Sequence, residues 1–222
     1  MTNDNQYGLA LHTTSPHLGL AISNFQNDNR AATWDLGRDL STHLHQQLSE
    51  FLLPNPWSDV AFIAVAKGPG SFTGTRIGVV TARTLAQQLD IPLFAISTLA
   101  AVAWSLMLPE KEHSETSHKR AIALQMPARR GQLYTAIYQL SSDGSSLTPL
   151  IPDAVMTPDI WQQVLDNQEN LYQLVNVSTD LGTCVTSVLD LGYVYWQQGK
   201  RSHWSDALPF YGQHPVTRIN SD

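Results

Sequence analysis

The chain has 222 residues, 42% of them hydrophobic and 14% charged, with a formal net charge of −6. That length holds one large domain or two small ones with a substantial core, and the negative charge argues against a chain that grips a phosphate backbone by itself. Cys184 is the only cysteine, so no intramolecular disulfide forms; the start MTNDNQYG has no signal-peptide pattern, and the apolar stretch 99–108 is too short to span a bilayer, so a soluble cytoplasmic protein is expected.

In chain order, 7–11 and 18–25 read as strands joined by the polar connection His12 to His17, and 30–36 as a third, giving an antiparallel meander. Residues 39–53 read as a helix, with Leu40, Leu44, Leu48 and Leu52 four apart, and Pro54 and Pro56 end it. A strand at 60–66 then meets Gly68-Pro69-Gly70, and a helix follows over 72–89, with Ser71 and Thr73 as candidate N-caps. Residues 91–96 read as a strand and 97–108 as a helix. The polar run 109–119 reads as a linker and divides the chain into units 1–108 and 109–222, with the last residues expected to return to the first unit. In the second unit, 120–125 and 132–140 are strands around the turn Pro127 to Gly131, and Asp143-Gly144 marks a further hairpin turn. A helix capped by Thr157 runs to 165, 172–177 is a strand and 182–198 a helix. The last twenty residues carry little periodicity.

Strand, glycine turn and helix together present free backbone N–H groups at a helix start, which makes Gly68, Gly70 and Ser71 candidates for lying near an anion or a nucleotide. Arg76 in the first turn opposes the helix dipole, and so suggests a job toward a carboxylate or an anion. Gly74, Gly78, Ala82 and Ala86 fall four apart and line one side of the helix. Each internal glycine costs about 1 kcal/mol against alanine, so close approach of something is implied. Spacing alone does not separate the chain's own sheet from a helix of another molecule. The loop is not a Walker A motif, since no Gly-Lys-Ser/Thr closes it. Nor is it a nucleophile elbow, since Ser71 directly follows Gly70.

The segment VAKGPGSFTGTRIGVVTARTLA resembles the hallmark of the TsaB family, also called YeaZ. The resemblance implies an α/β, actin/hexokinase-like (ASKHA) fold: two related halves, mixed sheets flanked by helices, the second half reduced, and a nucleotide cleft between them. It also implies a noncatalytic subunit of the machinery that makes threonylcarbamoyladenosine (t6A) in tRNA. Such a subunit would bind the catalytic TsaD through a helical docking face offered by 73–89 together with 39–53, with a TsaE-type ATPase as a further partner. Gly74, Arg76, Gly78, Ala82 and Ala86 are the residues expected at that interface, and Gly78→Leu is expected to break it while leaving a folded monomer. The same face would serve a homodimer when the chain is alone. No cofactor of its own is implied; ATP or ADP is placed at the partner interface, and tRNA is reached mainly through the complex.

The family pattern begins Asp-Thr-Ser/Ala after its first strand, and His12 stands at the acid's place here. The family's Asp-Ala-Arg-x-Gly-Glu-Val-Tyr reads Pro127-Ala128-Arg129-Arg130-Gly131-Gln132-Leu133-Tyr134, so Pro127 and Gln132 replace two further acids. Phosphotransfer needs such carboxylates to hold magnesium. An ATPase or kinase with an atypical cleft is therefore the weaker alternative. A peptidase lacks any nucleophile–base pair in the sequence. The histidines show no metal-ligand spacing, so no metal site is expected.

Overall fold

The computed structural model describes residues 6–107, 121–168 and 172–212. Two sheets organise them, and the second repeats the plan of the first. Strands β1 (Tyr7–His12), β2 (His17–Ser23) and β3 (Asn29–Asp35) form the expected meander. On the other side of β1, β4 (Val60–Ala66) and β5 (Leu93–Ile96) add in parallel, giving the order β3-β2-β1-β4-β5. In the second sheet β6 (Ala121–Pro127), β7 (Leu133–Leu140) and β8 (Leu147–Met156) are antiparallel, and β9 (Tyr172–Asn176) lies parallel to β6. Its order, β8-β7-β6-β9, matches the first sheet without the fifth strand. This is the α/β, actin/hexokinase-like fold with two related halves, the second reduced.

Five helices accompany the strands among the described residues: α1 (Leu40–Leu52), α2 (Phe72–Leu89), α3 (Thr98–Met107), α4 (Pro158–Asp166) and α5 (Val185–Gln197). The period of two along β1 decides where they go. Leu9 and Leu11 join Ile63, Val65 and the helices α1 and α2 on one face of the first sheet. Ala10 and its neighbours Ala64 and Ala66 face the other way, toward α3 and α5. All four spaced leucines of α1 are buried, and each contributes on the order of 2 kcal/mol relative to an exposed position.

Helix α3 shows why chain order and packing order differ. It is buried on nearly every side, with Leu99, Ala101, Val102, Ala103, Trp104 and Met107 all inside. A helix apolar all round belongs between layers. It lies between the two sheets, where Ile122, Leu124, Ala136 and Tyr138 of the second sheet share one core with it and with α5. Helix α5 follows the second sheet in sequence but packs on the first, against β1 and β4. On the outer face of the second sheet, α4 inserts Trp161 and Leu165 against Ala121, Ala123 and Ile137.

Strand β8 is an element that the sequence pattern did not suggest. Pro149 and Pro152 interrupt it. Proline is tolerated because β8 is an edge strand with a partner on one side only. The charged segment 109–119, where the sequence places the division into units, lies outside the described residues.

Candidate functional site

The glycine-bearing loop sits where several segments of the chain meet. Ser71 N–H donates to the Thr14 carbonyl at 2.7 Å, and Thr98 N–H donates to the Gly68 carbonyl at 2.8 Å. Phe210 N–H donates to the Lys67 carbonyl, also at 2.7 Å. The glycines permit these approaches. A Cβ on Gly70 would strike the Thr14 carbonyl oxygen, one on Gly74 the Thr13 carbonyl oxygen, and one on Gly78 the Thr13 hydroxyl. Gly68 has φ of +97°, and a Cβ there would lie 2.6 Å from the Phe210 carbonyl oxygen. Ser71 caps α2 by accepting from Gly74 N–H at 3.2 Å, so of the two candidate caps it is Ser71 that serves.

These contacts correct the reading of the small-residue stripe. Gly74, Gly78, Ala82 and Ala86 are buried within the chain itself, Ala82 and Ala86 with no exposure at all. Gly74 and Gly78 let α2 lie against the turn after β1, where Thr13 Oγ1 also donates to the Gly74 carbonyl at 2.8 Å, while Ala82 and Ala86 join the core on the first sheet. The stripe is therefore not a surface offered to another molecule. Gly78→Leu collides with Thr13 and cannot be expected to spare the fold. Of the five residues expected at an interface, Arg76 alone is exposed.

The opposite side of α2 is open. With α1 it lines a groove of about 450 Å³, bordered by His45, Arg76, Ile77, Val80, Thr84 and Leu85. Val80, one of its lining residues, is 58% exposed. The two helices expected to offer a docking face thus do meet in a groove, but its lining is not the four-apart small residues. An apolar Ile77 and Val80 at the positions between them were the signal available.

A second concavity, about 430 Å³, lies between the loop and the second half. Gly70, Ser71, Phe72 and Thr73 form one wall; Pro127, Arg129, Arg130 and Tyr134 form the other; Tyr211 closes a side. Thus Gly70 and Ser71 do reach the cleft, whereas Gly68 lies under Phe210. Among the described residues, no carboxylate lines this cleft. Arg130 stands in the left-handed region at φ +59°, a conformation that costs a non-glycine residue about 1 kcal/mol. Among the described residues, no group of three His, Cys, Asp or Glu is placed to hold a metal ion.

His12 is fully buried at the end of β1. Its Nε2 lies 3.3 Å from Thr14 Oγ1, and that hydroxyl is 3.1 Å from Thr98 Oγ1. Nδ1 has no hydrogen-bond partner. Burial disfavours the imidazolium and lowers its pKa to about 4, so the ring is neutral at pH 7. A neutral imidazole in a hydroxyl pocket is a poor replacement for a magnesium-binding carboxylate. Elsewhere in the second half, Tyr138 donates to Asp153 Oδ1 at 2.7 Å. Burial raises the pKa of both groups.

Comparison with known proteins adds the relationship. The family model described as TsaD, tRNA N6-adenosine threonylcarbamoyltransferase, matches residues 48–181. The tRNA threonylcarbamoyladenosine biosynthesis protein TsaB of Bacillus subtilis is 39% identical over 124 residues, covering 55% of this chain and 49% of that protein. The TsaB of Escherichia coli is 36% identical over 135 residues, covering 61% of this chain and 52% of that protein. The chain thus spans about half the length of these curated relatives. The solved structure of YeaZ from Pseudomonas aeruginosa superposes with a TM-score of 0.71 at 23% identity, over 93% of this chain and 99% of that one. A second structure from the same organism, described as similar to peptidase YEAZ, gives 0.74 at 23% identity, over 94% and 100%. Both support the fold.

Proposed function

The chain belongs to the TsaB (YeaZ) family, related to the TsaD transferases, and from that premise we propose that it is an accessory subunit of the machinery that makes t6A in tRNA. It contributes a docking surface and leaves the chemistry to a TsaD-type catalytic partner. The observation that carries this reading is the open apolar groove on α1 and α2. A helix with apolar side chains at i, i+3 and i+4 fits such a groove. Docking there would bury Val80 and Ile77 against the partner and leave Arg76 at the rim. A second copy of the chain would use the same groove in the absence of the partner.

The three positions where the family carries acids hold His12, Pro127 and Gln132. His12 is sealed inside, and Pro127 ends β6 by pairing with Leu133. These substitutions support assigning phosphoryl chemistry, tRNA contact and any ATP or ADP to the assembled complex, with a TsaE-type ATPase as a further member. Reconstitution tests the reading. Modification of tRNA by purified TsaD- and TsaE-type subunits, supplied with threonylcarbamoyl-adenylate, should require this chain, and the chain alone should show no magnesium-dependent ATP turnover. Turnover by the isolated chain that vanishes on substitution of Arg129 or Ser71 would favour the alternative, an ATPase with an atypical cleft. Full modification without the chain would end the accessory role.

A further inference from the structure

The C-terminal part of the described chain runs as a strap from the first half to the second. Ser202 carbonyl accepts from Leu93 N–H at 3.2 Å, and Ala207 is buried on the α1–α2 side of the first sheet. Leu208 then stands 62% exposed. Phe210 N–H bonds to the Lys67 carbonyl at 2.7 Å, the Tyr211 ring lies 4.6 Å from the Phe72 ring, and Tyr134 donates to the Tyr211 carbonyl at 3.3 Å. Gly212, at φ +61°, packs against Val155 of β8. Tyr211 thereby forms part of the cleft wall.

Helix α2 meets this strap at two points, through Arg83 and through Phe72. Arg83 lies 5.7 Å over the Trp204 ring, upstream of the exposed Leu208. Arg76 lies 5.6 Å over the Phe72 ring, the ring on which Tyr211 rests. Arg76 also borders the α1–α2 groove. One side chain therefore touches both the groove and the stack that seats the strap.

We propose that residues 208–212 are a latch over the cleft, and that Arg76 and Phe72 couple its closure to occupancy of the α1–α2 groove. A partner that draws Arg76 away from Phe72 removes a cation–π contact and loosens the seat of Tyr211. By linkage, seating or release of the latch changes affinity in the groove by the same factor. The coupling rests on the docking role given above to the groove; the latch itself does not.

Hydrogen exchange on the full chain, without any partner, separates the two. The Phe210 amide should be protected in the wild type. Tyr211→Ala should speed its exchange by about fivefold or more, the loss of one aromatic pair, with the amides of β4 unchanged and the melting transition retained. Arg76→Ala should speed it about two- to fivefold, while Thr84→Ala, in the same groove but away from the strap, should leave it unchanged. Equal exchange in wild type and Tyr211→Ala would overturn the latch. An Arg76→Ala chain that exchanges like wild type, or a Thr84→Ala chain that exchanges like Arg76→Ala, would overturn the coupling. A wild-type chain that binds no partner but gives the expected pattern would sink the docking role and leave the latch standing.

Discussion

The two faces of α2 carry opposite lessons from one sequence. The inner face, Gly74, Gly78, Ala82 and Ala86, is conspicuous as a pattern and committed to the chain itself, the glycines to the turn at Thr13 and the alanines to the core of the first sheet. The outer face, Arg76, Ile77, Val80 and Thr84, has no run of small residues and lies open beside α1. Small residues at helical spacing report that a backbone comes close, and they do not report whose backbone. What separates the faces is burial by the rest of the fold, which only the assembled molecule reveals.

The comparison breaks most readily at the inner face. Gly78→Leu should destabilise the chain by about 3 kcal/mol or more, the range expected when overpacking meets an immobile neighbour. Thermal melting would show it as loss of the cooperative transition; a normally melting variant would mean the face is looser than described. The next effect concerns His12, one residue before that receiving turn. Its folded pKa of about 4 lies below the ordinary value of 6.5, so the unfolded chain binds the extra proton first. Stability is full above about pH 6.5 and falls as pH drops toward 4, by about 3 kcal/mol in total. His12→Leu should flatten the acid limb of a pH–stability curve, and an unchanged limb would place the titration elsewhere. A smaller effect belongs to the start of the helix that both faces share. Ser71→Ala removes the cap on Gly74 N–H and should cost about 1 kcal/mol in denaturant unfolding.

Much of the fold was legible because its signals are local. The leucines of α1 at 40, 44, 48 and 52, the apolar run of β4 and the Thr157-Pro158 start of α4 each carry one period or one cap, and each element stands where the pattern puts it. Strand β8 was hidden by Pro149 and Pro152, since proline reads as a break unless the strand is known to be at an edge. The strap at 208–212 has no period at all; rings and carbonyls of distant residues hold it, and those become neighbours only after folding. The site divided in the same way. Gly70 and Ser71 line the concavity that faces Arg129 and Arg130. The small-residue stripe turns inward, because a four-residue spacing fixes a side of the helix and leaves its direction in the molecule open.

Val80 offers the most direct test of the central claim, that the outer groove of α1 and α2 receives the partner. At 58% exposure, Val80→Glu should change stability by less than about 0.5 kcal/mol, so binding can be read without a folding effect. Titration of the full chain into a purified TsaD-type subunit should then show affinity weakened at least about tenfold, the cost of a charge placed in an apolar contact. A Val80→Glu chain that melts normally and binds the partner as tightly as the wild type would contradict the account.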